Sequence, residues 1–157
     1  MGETAITGEN LKALVPHRGK MLLLSRITGF DLKNQTLTAE YDITRDCLFY
    51  REELGGVPSW AGFEFMAQSI SALSGIENTA RNSPPRFGFI LSVSAFELYV
   101  PVFKEKTTLR IEVKAETTVD AIYSFCGTIF NPPGTEKAAA ATLTVMETDD
   151  ISTVKDR

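Results

Sequence analysis

The sequence predicts an α+β domain in which an antiparallel sheet of five or six strands wraps one long central helix. Three observations carry that prediction. Apolar residues at Trp60, Phe63, Ala67, Ile70 and Leu73 recur at three- and four-residue spacing, as on one helix face. Segments before and after this stretch alternate apolar and polar residues with the period of half-buried strands. The strands fall into runs on either side of a single helix instead of alternating with several, which argues against a parallel sheet. A length of 157 residues suits one domain, 1–157, with residues 1–9 and 149–157 expected to be frayed.

In chain order, residues 8–15 read as a short helix or turn ending at Pro16. The apolar run from Met21, MLLLSRITGFD, reads as a strand, and Lys33-Asn34-Gln35 as a turn. Alternation at Leu37, Ala39, Tyr41 and Ile43 gives the second strand, and residues 44–56 read as a loop closed by Gly55-Gly56. The helix is expected from Ser59, as N-cap after Pro58, to about Leu73, with Gly75 as its stop. Its other faces carry Ala61, Phe65, Met66, Ser69, Ser71 and Ala72, so it is apolar or small nearly all round, the mark of a buried helix. One sheet covers one side of such a helix, so a second subunit or long loops must cover the rest. Residues 76–86 form a polar link. Four strands follow, starting near Phe87, Leu109, Ala121 and Ala138, with Asn131-Pro132-Pro133-Gly134 turning the third into the fourth.

Composition narrows the function. With 43% hydrophobic and 23% charged residues, disorder and fibrous repeats are poor readings. The formal net charge of −4 argues against a nucleic-acid partner. The segment MGETAITGENLKAL lacks the layout of a signal peptide, Ile6 stands where a myristoylation signal needs Ser or Thr, and no apolar run reaches a membrane span. A cytoplasmic protein without a membrane partner is expected. Cys47 and Cys126 read as two buried thiols. They form no ligand pattern, one histidine cannot complete a typical zinc site, and no metal is expected. There is no GxGxxG after a strand, no P-loop and no GxSxG, so no cofactor is expected either.

Two residues stand out chemically. Glu64 is the one charge in the buried helix, and His17, in Val15-Pro16-His17-Arg18, is the only histidine. Desolvation raises a carboxyl pKa toward neutrality, the condition for a general acid. Gln68, one turn on from Glu64, is placed to orient that carboxyl. The plainer alternatives stay open: a Glu64 that merely satisfies a backbone N–H or an arginine, and a His17 that is a hydrogen-bonded loop residue. Arg18 either binds an anionic substrate group or anchors its loop.

Pro16-His17-Arg18 followed by Met21-Leu22-Leu23-Leu24-Ser25-Arg26 resembles the opening motif of the 3-hydroxyacyl-[acyl-carrier-protein] dehydratases of fatty acid synthesis, the FabA and FabZ type. Pro58-Ser59 through Glu64-Phe65-Met66-Ala67-Gln68 resembles that family's catalytic helix, where an acidic residue is followed four positions later by Gln. Phe89 through Pro101-Val102 and the strands after it resemble its C-terminal half. The match spans roughly residues 10–148. Gly56-Val57-Pro58-Ser59-Trp60 is nearest to the ApeP-like variant dehydratases of aryl polyene pathways.

The resemblance implies a hot-dog fold that dimerises, as a homodimer or as a heterodimer with a paralogue, with sites at the subunit interface. It implies elimination of water from a 3-hydroxyacyl thioester to a trans-2-enoyl thioester, on substrate carried by the phosphopantetheine arm of acyl carrier protein. Glu64 and His17 are then the catalytic candidates. Pro58, Ser59, Trp60, Gln68, Arg18 and Tyr50 are the substrate-binding ones, with N–H groups of Val57–Ala61 polarising the thioester carbonyl. The pattern departs from the family in two places. The loop Cys47–Gly56, where the family's catalytic histidine sits, holds none, and Tyr50 stands near its place. Ser59 replaces a glycine. Either His17 has taken over the base role or the subunit works with a catalytically complete paralogue. A hot-dog acyl thioesterase, with the carboxylate activating water, is the remaining alternative. Arg81, Arg86, Lys104 and Lys106 are expected to gather at the tunnel mouth and steer an acidic carrier protein.

Overall fold

The computed structural model describes residues 4–83, 87–131 and 136–148. Pro84–Arg86, the centre of the predicted hairpin turn at 132–134 and the tail 149–157 lie outside the described residues.

Alternating apolar residues dictate the sheet. Strand β1 (Arg26–Asp31) pairs antiparallel with β2 (Thr36–Asp42), in which Leu37, Ala39 and Tyr41 all point into the core. Two short strands, β3 (Gly56–Pro58) and β5 (Val102–Lys104), pair with each other in a separate ribbon. The long strands β4 (Phe87–Leu98), β6 (Thr108–Val119), β7 (Ile122–Phe130) and β8 (Lys137–Thr148) complete a six-stranded antiparallel sheet ordered β1-β2-β6-β7-β8-β4. Ala138–Ala141 is therefore strand, as the TLTV run after it predicts.

Helix α2 (Gly62–Ala80) lies across the concave face of this sheet and touches β2, β6, β7, β8 and β4. Phe65 and Met66 are fully buried against it, each such side chain contributing roughly 1.5–3 kcal/mol of burial. The rings of Tyr41 and Phe65 meet at 4.9 Å. Close approach to β7 is possible because Gly127 faces Met66: a Cβ there would sit 2.7 Å from the Met66 sulfur. A sheet curled around one helix is the hot-dog arrangement that the family resemblance implies.

The structure corrects several local expectations. The helix does not start at Ser59 or stop near Leu73. Ser59–Ala61 is a single 3₁₀ turn in which Ser59 makes no side-chain cap, and α2 continues through Gly75 to Ala80. Gly75 is a packing residue: a Cβ there would fall on the Leu14 carbonyl, 3.0 Å from its carbon and from Leu14 Cα. Met21–Ser25 is not strand; Gly19–Met21 forms a 3₁₀ turn and the strand begins only at Arg26. Residues 4–9 are not frayed, since the N–H groups of Ile6 and Ile27 each donate to the other residue's carbonyl at 3.0 Å, and α1 spans Gly8–Lys12. Cys47 and Cys126 are free but only half-buried.

The two edges of the sheet differ. Ile6 covers the β1 edge, whereas the twelve-residue β4 edge carries Ile90, Leu91 and Leu98 in exposed positions. Among the described residues, no helix is long and apolar enough to cross a membrane.

Candidate functional site

The segment Lys12–Leu23 runs along α2, and a cavity of about 570 Å³ opens between them and the sheet strands β4 and β8. Its helix wall is one stripe at helical spacing, Glu64, Ala67, Gln68, Ser71, Ser74 and Asn78. The segment supplies Leu14, Pro16, His17 and Arg18, and β4 and β8 supply Phe89, Ile90 and Val145.

Glu64 sits in the first turn of α2, partly buried. Its carboxyl has no hydrogen-bond or ion-pair partner among the described residues, and burial pushes its pKa above the ordinary carboxylate value. His17 is half-buried, with a Nδ1 that is shielded from solvent and meets no hydrogen-bond partner among the described residues. Burial, and after it the charge of Arg18, pull its pKa below the ordinary imidazole value. Two titratable groups on one cavity are thus displaced in opposite directions, both toward the neutral form. A protonated carboxyl can donate a proton and a neutral imidazole can accept one.

Arg18 anchors its loop. Its guanidinium donates to the carbonyl oxygens of Val15 at 2.7 Å, His17 at 2.8 Å and Lys12 at 3.0 Å. Gln68 does not orient Glu64. Its amide is 2% exposed and is engaged at both ends, accepting from the Leu23 N–H at 2.7 Å and donating to the Met21 carbonyl at 2.8 Å.

The other expected binding residues lie outside the cavity. Pro58 ends β3 opposite Val102, and Ser59 is 2% exposed with its N–H donated to the Pro101 carbonyl at 3.0 Å. That N–H is therefore not free to polarise a thioester. Trp60 is 44% exposed and packs edge-on against Phe49 at 5.6 Å. The Tyr50 N–H closes a turn onto the Cys47 carbonyl at 3.0 Å. The expected basic cluster is not one patch either. Arg81 caps the C-terminus of α2 and is paired with Glu77 at 2.8 Å, while Lys104 pairs with Gly56 just before the helix begins. The helix between them spans roughly 28 Å. Arg86 lies outside the described residues.

Leu14, Ile90 and the polar Ser74–Asn78 end of the helix stripe line the cavity without having been marked as site residues by sequence. The stripe was recoverable, since Ser71, Ser74 and Asn78 continue the spacing that starts at Glu64.

Similarity to known proteins bears on the family and the fold. An 80-residue stretch is 30% identical to the 3-hydroxyacyl-[acyl-carrier-protein] dehydratase FabZ of Chlamydia trachomatis serovars L2, L2b and D, covering 48% of this chain and 52% of each relative. The chain thus spans about half the length of the curated relatives it matches. Among solved structures, a chain of the dehydratase heterocomplex ApeI:P from Xenorhabdus doucetiae superposes with a TM-score of 0.82 at 22% identity, over 92% of this chain and 95% of that one. The PaaI protein of E. coli, from the phenylacetic acid degradation operon, superposes with a TM-score of 0.59 at 8% identity, over 76% and 80%. Both share the fold. The family model for the ApeP dehydratase matches residues 9–156, nearly the whole sequence, and this protein belongs to the ApeP-like dehydratase family.

Proposed function

We propose that this chain dehydrates a 3-hydroxyacyl thioester, held on the phosphopantetheine arm of acyl carrier protein, to the trans-2-enoyl thioester. The observation that carries the reading is the pairing of a raised, unpartnered Glu64 carboxyl with a lowered His17 imidazole on one cavity. In the elimination, neutral His17 takes the proton α to the thioester carbonyl. Electrons of that C–H bond form the α,β double bond. The β-hydroxyl leaves with the proton of Glu64 as water. The products are the enoyl thioester, imidazolium and carboxylate, and solvent returns the proton from one to the other.

A second reading concerns the partner: the chain works as a subunit beside a catalytically complete paralogue. It is supported by the absence of histidine from Cys47–Gly56, and by likeness to a chain of a dehydratase heterocomplex. In either case the exposed β4 edge is the surface through which two hot-dog subunits would join their sheets.

The test is enoyl formation from a 3-hydroxyacyl-carrier-protein substrate, with free thiol followed in parallel and a paralogue added in a second series. Glu64→Gln keeps the volume but cannot supply a proton, and loss of a general acid costs roughly 10²–10⁴ in rate. The fold should survive, because a desolvated carboxyl is removed. Near wild-type turnover in Glu64→Gln would end the dehydratase reading. Thiol release in place of enoyl product would make the protein a thioesterase. Activity only with the paralogue present would establish the second reading.

A further inference from the structure

The route by which Gln68 reaches His17 can be followed bond by bond. Gln68, at 2% exposure, holds the backbone of Met21 and Leu23 from α2. Leu22–Leu24 belongs to no strand or helix, so these two bonds replace the partners a sheet would have given it. The Met21 N–H donates to the Arg18 carbonyl, and Leu22 N–H to that of Gly19, both at 3.1 Å, which closes the 3₁₀ turn Gly19–Met21. Arg18 in turn donates from its guanidinium to the His17 carbonyl at 2.8 Å. Hydrogen bonds linked through the covalent frame of Met21 and Arg18 therefore connect Gln68 to His17. One side chain must supply an acceptor and a donor side by side to grip the N–H and C=O of residues two apart. Glutamine does so while uncharged; glutamic acid does so only when protonated.

We propose that Gln68 is a positioning residue: it clamps the Met21–Leu23 backbone and thereby holds the His17 imidazole at the cavity that Glu64 faces. The consequence for turnover rests on the proposed dehydration; the clamp itself does not.

Because His17 is the only histidine, its ring signals in NMR are unambiguous. Lys12 and Arg18 on the same segment, Glu64 on α2 and Glu147 on β8 line the same cavity, so each titration is repeated in a Glu64→Gln background to remove coupling to that carboxyl. Gln68→Met keeps the volume and removes both bonds. The expected result is a His17 titration midpoint that rises toward 6.5 as the imidazole gains solvent, with kcat reduced by up to about 10²-fold and KM nearly unchanged. Gln68→Glu is the conservative rescue. Its protonated acid retains both bonds, so His17 signals match the wild type at low pH and move to their Gln68→Met positions as the carboxyl ionises. Unchanged His17 shifts and midpoint in folded Gln68→Met overturn the proposal. Should Gln68→Met fail to fold, Gln68→Glu decides, and His17 signals that track the wild type at every pH overturn it. If His17 moves as expected while wild-type turnover ignores the His17 titration, the clamp stands and the base role of His17 falls.

Discussion

Gly75→Ala sets two effects of opposite sign against each other within one helix. Gly75 lies inside α2, where alanine is preferred over glycine by about 1 kcal/mol. On propensity alone the substitution stabilises. The added Cβ, however, would overlap the carbonyl oxygen of Leu14 and stand 3.0 Å from its carbon and Cα. Overpacking typically costs about 1–3 kcal/mol, and here the obstacle is backbone, which cannot swing aside like a side-chain tip. The upper part of that range applies, leaving a net loss of about 1–2 kcal/mol. Gly62→Ala is the comparison: it opens α2, and its Cβ would press on the flexible end of Ile129, Cδ1 at 2.8 Å, with the Phe103 ring in ordinary contact at 3.6 Å and no backbone in the way. Urea unfolding at one fixed protein concentration, followed by the fluorescence of the single tryptophan, Trp60, measures both. Gly75→Ala should lower the midpoint clearly more than Gly62→Ala. It should also disturb the cavity wall at Leu14 and shift the His17 ring signals. A Gly75→Ala protein as stable as wild type, or more so, would refute the close seating of the 12–23 segment on α2.

Three further outcomes follow from the same geometry. Leu91 is 51% exposed on the β4 edge, so Leu91→Lys should shift the protein toward monomer in sedimentation velocity, and an unchanged assembly would remove β4 as the interface. Arg18→Lys cannot reach three carbonyls in a fork, so it should lower stability by about 1 kcal/mol with KM for the thioester nearly unchanged; a large rise in KM with intact stability would return Arg18 to anion binding. The pH dependence of stability has two opposed parts. His17 binds its proton more readily when unfolded, so its contribution is lost as pH falls below about 6.5, and His17→Gln should flatten that slope. Glu64 binds its proton more readily when folded, so its contribution is lost as pH rises from 4.5 through its raised folded value, and Glu64→Gln should gain on wild type over that interval.

What the sequence made legible was whatever depends on periodicity. Leu109, Ile111 and Val113 alternate in the sequence and are all buried in β6; Phe65 and Met66 lie on a helix that is apolar or small nearly all round and are fully buried. Glu64 was legible for the same reason, as the lone charge on a face that must lose water. The failures share a different cause: they turn on which partner a backbone group finds. Met21–Leu24 has the apolar content of a strand, and Leu23 and Leu24 are buried as a strand's would be, but the N–H of Leu23 is taken by Gln68, forty-five residues away. Nothing local marks that. Gly75 has the composition of a helix stop, yet the helix runs on to Ala80, and the glycine instead leaves room for the Leu14 backbone. Ser59 looks like a cap, but it opens a 3₁₀ turn three residues ahead of α2, with its N–H donated to Pro101 beside the short β3–β5 ribbon, which periodicity does not reveal because both strands are three residues long. The same reasoning explains why the candidate site was half legible. Glu64, Ser71 and Asn78 share a helix face and follow from spacing. That His17 joins them depends on a strap pinned by Gln68, Arg18 and Gly75, three residues whose composition suggested an orienting amide, an anion site and a helix stop.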